Sequence, residues 1–317
     1  MKKFLVFLFI PIFSFSQSIV SEVNLLIKQK QFVKAELLAS NYAAQNPNNL
    51  NAIELLGDAY GHQKKWDDAI EQYKKLVDAN IDNANYHYKY GGALGRKAQE
   101  VNKFQALGII GDVKEAFLKA AELDPKHIDT RWALVELFMQ LPGIVGGSKK
   151  KSLQYAYELE QISQVDGYLA KGYIYEYDKD PKLAETYYKK AIEVGGSLTC
   201  YDKLTSLYEA EKQPEMAIAN IEKAHAKHNK NHLNYQIGKV SADYNIQLDK
   251  GERCLKIYIE NHSAEDDVPI EWAYFRLAQI QKNRSNKTEA LKWIDKALMV
   301  RSDFIQAQDE RGKILSL

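Results

Sequence analysis

An all-α fold, an array of about eight helical hairpins stacked as an α-solenoid and closed by a final helix, is what this 317-residue sequence predicts. Three observations carry the prediction. The stretch from Val165 to Gly196 reads as two short helices joined by a turn at Asp178 to Pro181. Leu169, Gly172 and Tyr175 lie at helical spacing in the first, and Ala184, Tyr188 and Ala191 form an i, i+4, i+7 stripe in the second. Neither helix can bury its apolar face alone, so the unit needs neighbours. The second observation is that it recurs, with a period near 34 residues. Leu55 to Leu76 places Gly57, Tyr60, Ala69 and Tyr73 where Gly172, Tyr175, Ala184 and Tyr188 stand, and Phe275 to Leu298 supplies Leu277, Ala278, Ala290, Ile294 and Ala297. The third is composition: 27% charged, 45% hydrophobic and few Gly and Pro, in a chain near the size limit of one globular core. A solenoid escapes that limit by adding layers, and one elongated domain over residues 17–317 is expected.

This pattern resembles the tetratricopeptide repeat (TPR) family: a small residue in the first helix, alanines in the second, and often a proline after it. Pro47 and Pro125 occupy that last place, and Gly196, Asn229 and Ser302 replace it elsewhere. The resemblance implies a right-handed α-solenoid of TPR-like hairpins. Their first helices are expected to start near residues 18, 50, 84, 128, 165, 198, 231 and 271.

At the N-terminus, Lys2 and Lys3 precede an apolar run from Phe4 to Phe13, then Ser14 and Ser16. The run is short for a bilayer span, so residues 1–16 read as a secretory signal, with the mature chain beginning at Gln17 and keeping no stable membrane span. A periplasmic or secreted location follows. No cysteine near the junction indicates a lipid anchor. The formal charge of +1 falls to −1 once Lys2 and Lys3 leave, so no broad basic field exists to attract nucleic acid. Cys200 and Cys254 could pair in an oxidising compartment, but each falls on a helix where a small half-buried side chain is ordinary.

Taken in order, the first unit is the least typical, with Val23 where glycine or alanine is usual and Phe32, Ala35, Ala39 and Tyr42 in its second helix. The second is regular. In the third, extra residues near 98–111 either prolong the helices or protrude as a loop. The fourth carries another insertion near 141–148: Pro142 and Gly143 end a helix, Ser148 is a plausible N-cap, and Lys149 to Lys151 follow. Glycines beside lysines suggest an anion site or a plain connection, but phosphate-loop spacing is absent. The sixth unit ends with His225, His228 and His232, which lack the cysteines or carboxylates of a familiar metal pattern. The seventh is degenerate, with Gly251 in place of an alanine, and Asn261 to Pro269 is the expected bend. Phe304 to Leu317 reads as a capping helix.

No paired-histidine zinc motif, Gly-x-Ser-x-Gly elbow or dinucleotide fingerprint occurs, so neither enzyme, metal nor cofactor is indicated. Function must then reside in surface. The family resemblance implies a concave groove lined by first helices, and maps it to Tyr88, Gly92, Arg96, Trp132, Glu136, Tyr173, Tyr177, Asp202, Glu209, Tyr235 and Lys239. These positions lack the lysine and asparagine clamp with which some family members grip chaperone tails. Their rings are either interface anchors or packing between adjacent helices. The preferred reading is an exported, non-catalytic scaffold holding an envelope or secreted protein or peptide. Its alternative is a small-molecule or glycan-binding component of an envelope uptake system. Oligomeric state is not legible.

Overall fold

The structure, a computed structural model, describes residues 13–263 and 266–317, with side chains from Ile19 onward. Residues 1–12 of the expected signal segment lie outside the described residues. Among those described there are seventeen α-helices and no strand, and no helix is long and apolar enough to cross a membrane. By its internal packing the chain divides after Ile162 into two compact units.

The first unit holds four hairpins: α1 (Phe13–Lys28) with α2 (Phe32–Gln45), α3 (Leu50–His62) with α4 (Trp66–Ala79), α5 (Ala84–Glu100) with α6 (Lys103–Leu123), and α7 (Ile128–Gln140) with α8 (Lys149–Ile162). The second holds α9 (Gln164–Tyr177) with α10 (Pro181–Val194), α11 (Leu198–Ala210) with α12 (Pro214–His228), α13 (Asn231–Tyr244) with α14 (Leu248–Glu260), α15 (Ile270–Asn283) with α16 (Lys287–Val300), and the closing α17 (Ile305–Leu315). Within each unit a helix packs on its hairpin partner, and each second helix packs on the first helix of the next hairpin. First helices also touch, α5 against α7 and α13 against α15. Phe304 and, on α17 itself, Ala307 and Ile314 are buried against the last hairpin, whose open side α17 covers.

Local chemistry sets the boundaries. Asn49, Asn83, Asn102, Ser163, Asp180 and Asn286 each accept a backbone N–H of the first turn they precede. Pro181 and Pro214 stand at the start of second helices, where their missing N–H costs nothing. Five hairpin turns close alike, by backbone bonds such as Lys65 N to Tyr60 O at 3.0 Å and Asp180 N to Tyr175 O at 2.8 Å. The residue before each is left-handed: Lys30, Lys64, Lys179, Lys212 and Ser285.

Ala184, Tyr188 and Ala191 are fully buried, as are Ala69, Ala290 and Ala297. The first-helix glycine does more than bring two backbones together: it seats a second-helix side chain. A Cβ at Gly57 would lie 2.7 Å from Tyr73 Cε1, and one at Gly238 would overlap Leu255. The extra residues of the third hairpin are absorbed as helix, leaving only Val101 and Asn102 between α5 and α6. The insertion after α7 is a short 3-10 turn, Gly143–Val145, folded back on the helix it leaves: Ser148 N donates to Phe138 O at 2.8 Å. Ser148 Oγ then accepts from Lys151 N at 3.3 Å, and Lys151 lies 5.2 Å over the Phe138 ring.

Candidate functional site

In the first unit a cleft of about 610 Å³ opens along α3, α5 and α7, with α4 and α6 behind it. Its axis is α5, which presents Tyr88, Gly92 and Arg96 at i, i+4 and i+8, one above the other on a helix face. A Cβ at Gly92 would meet nothing within 4 Å, so the missing side chain leaves an open shelf between a ring and a guanidinium. The Tyr88 ring packs 6.1 Å from Phe117 and 5.2 Å from His127. Burial, helped by Asp129 and Glu136, pushes its phenol up, so it stays protonated at neutral pH.

Behind the shelf is a closed network. Tyr73 donates its hydroxyl to Asp58 Oδ1 at 2.7 Å, and Lys89 donates to both Asp58 oxygens at 2.7 and 2.8 Å while pairing with Glu54 at 2.7 Å. Burial alone would pull the Lys89 ammonium down, but Asp58 and Glu54 outweigh it and raise it. These charges satisfy one another. Three polar groups of the cleft do not. Arg96, exposed, touches only Gln99 Oε1 at a weak 3.4 Å and has no ion-pair partner among the described residues. Glu136 on α7 makes no ion pair or hydrogen bond among them, and Trp66 Nε1 is a buried donor without an acceptor.

A second cleft, of about 420 Å³, lies in the second unit between α11 and α13 and is closed by Asp267 and Val268. It gathers Asp202, Glu209, Tyr235 and Lys239 with His232 and Gln236. Lys239 donates to Glu209 at 2.8 Å, and Gln236 Nε2 reaches Asp202 at 3.4 Å, which leaves Gln236 Oε1 buried without a donor. Tyr235 is buried, its ring 5.5 Å from Tyr258.

The structure thus places Tyr88, Gly92, Arg96 and Glu136 in one cleft and Asp202, Glu209, Tyr235 and Lys239 in another. Trp132, half-buried one helical turn before Glu136, lines neither. Tyr173 and Tyr177 also lie outside both, their rings 6.1 Å apart along α9, with Tyr177 exposed. His228 is bonded to Gly196 O at 2.8 Å and stands edge-on to Tyr201, and it does not line the cleft that His232 lines. No group of three metal-ligating side chains occurs among the described residues, and both cysteines are free.

Sequence reasoning missed Asp58, Trp66 and Lys89, and with them a ladder of charge between successive first helices. Lys89 reaches back to Glu54 and Asp58, Lys239 to Glu209, and Arg276 to Asp243. The signal was available: an acid on one first helix and a base about one repeat later on the next.

A family model described as "Tetratricopeptide repeat" matches residues 165–194. No curated protein matches the chain. Similar solved structures include a tetratricopeptide repeat protein from Parabacteroides merdae, at 13% identity over 94% of this chain and 98% of that one, with a TM-score of 0.48. A thermophilic TPR protein from Thermus thermophilus is 15% identical over 71% of this chain and 97% of its own, with a TM-score of 0.44. YrrB, described as a TPR protein with an unusual peptide-binding site, is 18% identical over 62% of this chain and 98% of its own, with a TM-score of 0.43.

Proposed function

We propose that this chain, whose fifth hairpin matches the tetratricopeptide repeat model and whose other hairpins repeat that unit, is a non-catalytic tetratricopeptide-repeat adaptor that holds a protein or peptide partner along its first helices. The observation that supports the reading is the presence, in each unit, of a cleft between successive first helices that holds a buried polar atom without a hydrogen-bond partner, Trp66 Nε1 in one and Gln236 Oε1 in the other, with the exposed and ion-pair-free Arg96 and Glu136 at the rim of the first. Buried donors and acceptors left open within a fold are satisfied at low cost by a ligand backbone. Aromatic and arginine side chains at such places are the usual anchors of binding energy.

On this reading the partner belongs to the envelope or the outside of the cell. Support comes from Lys2 and Lys3, the apolar run Phe4 to Phe13, and Ser14 and Ser16 after it. Cell fractionation with N-terminal sequencing tests this, the expected mature N-terminus being Gln17. The adaptor reading is tested by pull-down from envelope extract with wild-type chain and with Arg96→Glu, Trp132→Ala, Tyr173→Ala and Tyr177→Ala variants. A partner retained by the wild type and weakened by at least one variant is expected, and a partner set unchanged by all four counts against it.

A second reading, a small-molecule or glycan-binding component of an uptake system, is favoured by one observation, the aromatic lining of Trp66, Tyr73, Tyr88 and Phe117 around the first cleft. Calorimetry against a glycan and metabolite panel separates the two.

A further inference from the structure

The first cleft carries more information about its occupant than its volume does, because two of its four lining charges cancel and the remaining two are specific. Lys89 is neutralised by Asp58, and by Glu54 beyond the lining. Left over are one cation on α5, Arg96, and one anion on α7, Glu136, on helices that touch. They do not pair with each other, since neither has an ion-pair partner among the described residues. The same cleft holds the Gly92 shelf, one turn before Arg96 on α5, and is lined by apolar Val113, Phe117, Ala133 and Leu137. Trp66 lines the same cleft, its indole Nε1 buried without an acceptor.

We propose that this cleft holds a peptide segment whose central residue is large and apolar or aromatic, seated over Gly92, with an acidic neighbour at Arg96 and a basic neighbour at Glu136. The inference rests on the adaptor reading and narrows it to one chemistry. A hydrocarbon would leave Arg96 and Glu136 as they are. A phosphate or polyanion would set like charge against Glu136, and a polycation would meet Arg96. A peptide with one charge of each sign complements both, and its central side chain fills the shelf beside the Trp66 ring.

The test uses the full chain with 15N-labelled tryptophan and blocked heptapeptides centred on Asp-Phe-Lys or Lys-Phe-Asp within glycines, since the chain direction along α5 and α7 is open. One of the two orders is expected to move the Trp66 indole N–H resonance. It should bind about tenfold or more tighter than its alanine-centred counterpart, the scale of burying one aromatic side chain. Arg96→Glu should weaken it by about fivefold, the scale of an exposed ion pair. The double exchange Arg96→Glu with Glu136→Arg should reverse which order is preferred. Gly92→Leu should abolish the shift without lowering Tm, because no atom within 4 Å opposes the new side chain at its Cβ.

The proposal is overturned if neither order moves the Trp66 resonance, if the shift survives Gly92→Leu, if the alanine-centred peptide or free phenylalanine amide binds as tightly, or if the double exchange leaves the preference unchanged. Its failure is separable from failure of the adaptor reading. A partner captured equally by Gly92→Leu but lost with Tyr177→Ala keeps the adaptor and removes this cleft. A partner set indifferent to every groove variant removes the adaptor itself.

Discussion

The Tyr188 ring rests on Gly172 so closely that a Cβ at residue 172 would overlap its Cδ1 and Cε1. Tyr188 is fully buried and its hydroxyl donates to Glu176 at 2.6 Å, one turn beyond the glycine on the same first helix. The ring is therefore fixed at both ends. Glycine to alanine in a helix ordinarily stabilises by about 1 kcal/mol. Here overpacking wins, and Gly172→Ala is expected to lower stability by about 1–2 kcal/mol, with Gly172→Leu worse. Thermal unfolding of the two variants checks the sign, and a double-mutant cycle with Tyr188→Ala should give strongly non-additive costs.

Two adjacent glycines on α5 should respond in opposite directions. A Cβ at Gly91 would lie 3.0 Å from Ala116 Cβ and from Phe117 Cδ1, against a partner whose Cβ cannot swing aside, whereas one at Gly92 meets open space. Gly92→Ala is expected to raise stability by up to about 1 kcal/mol from helix propensity alone. Gly91→Leu should lower it by about 2 kcal/mol or more. Denaturant midpoints measured side by side decide the matter, and equal effects would contradict the face assigned to each residue.

The left-handed turn lysines are conformationally costly. Lys64, Lys179 and Lys212 have φ of 60°, 61° and 54°, where an L side chain crowds its own carbonyl. Lys179→Gly removes that strain and gives back part of the gain as unfolded-chain entropy, so a net rise of about 0.5 kcal/mol is expected. The β-branched Lys179→Val should do the reverse. Because residues 64 and 179 lie in different units, the glycine gains should add in a combined variant, as chemical denaturation would show.

Acid should remove a defined interaction from α14. Burial pushes the Glu252 carboxyl up, but hydrogen bonds from Lys256, at 2.8 Å, and from Arg284 outweigh it and hold its pKa below the ordinary carboxylate value. A depressed folded-state pKa contributes stability that is present above the unfolded value, about 4.3 for glutamate, and is lost as pH falls through the folded one. Stability measured from pH 6 to pH 3 should therefore fall less steeply in Glu252→Gln than in wild type. Parallel curves would remove the linkage.

The hairpins were legible because their repeating unit is short and its constraints local. Gly57, Gly172 and Gly238 recur where a second-helix side chain needs a seat, and the first-helix starts expected at 50, 84, 128, 198 and 231 coincide with Leu50, Ala84, Ile128, Leu198 and Asn231. The insertion near 98–111 was ambiguous because its residues suit helix or loop equally. Asn102 resolves it by accepting from Phe104 N and Gln105 N, both at 3.1 Å, and so starting α6 early. The site was half legible. Helical spacing within α5 aligned Tyr88, Gly92 and Arg96, but which charges would be cancelled depended on partners about a repeat away, as Lys89 on Asp58 shows. Ring positions were least legible, since Tyr235 and Tyr177 look alike in sequence and one is buried while the other is exposed.

Among the described residues, the well-formed helix contacts in each unit run between elements next to each other or one removed along the chain. Contact order is accordingly low, and ring closures of a few tens of residues are the longest that must form before packing rewards them. Each unit is thus suited to fast folding that begins at any well-formed hairpin and spreads to both sides as the chain emerges, without waiting for its distal end.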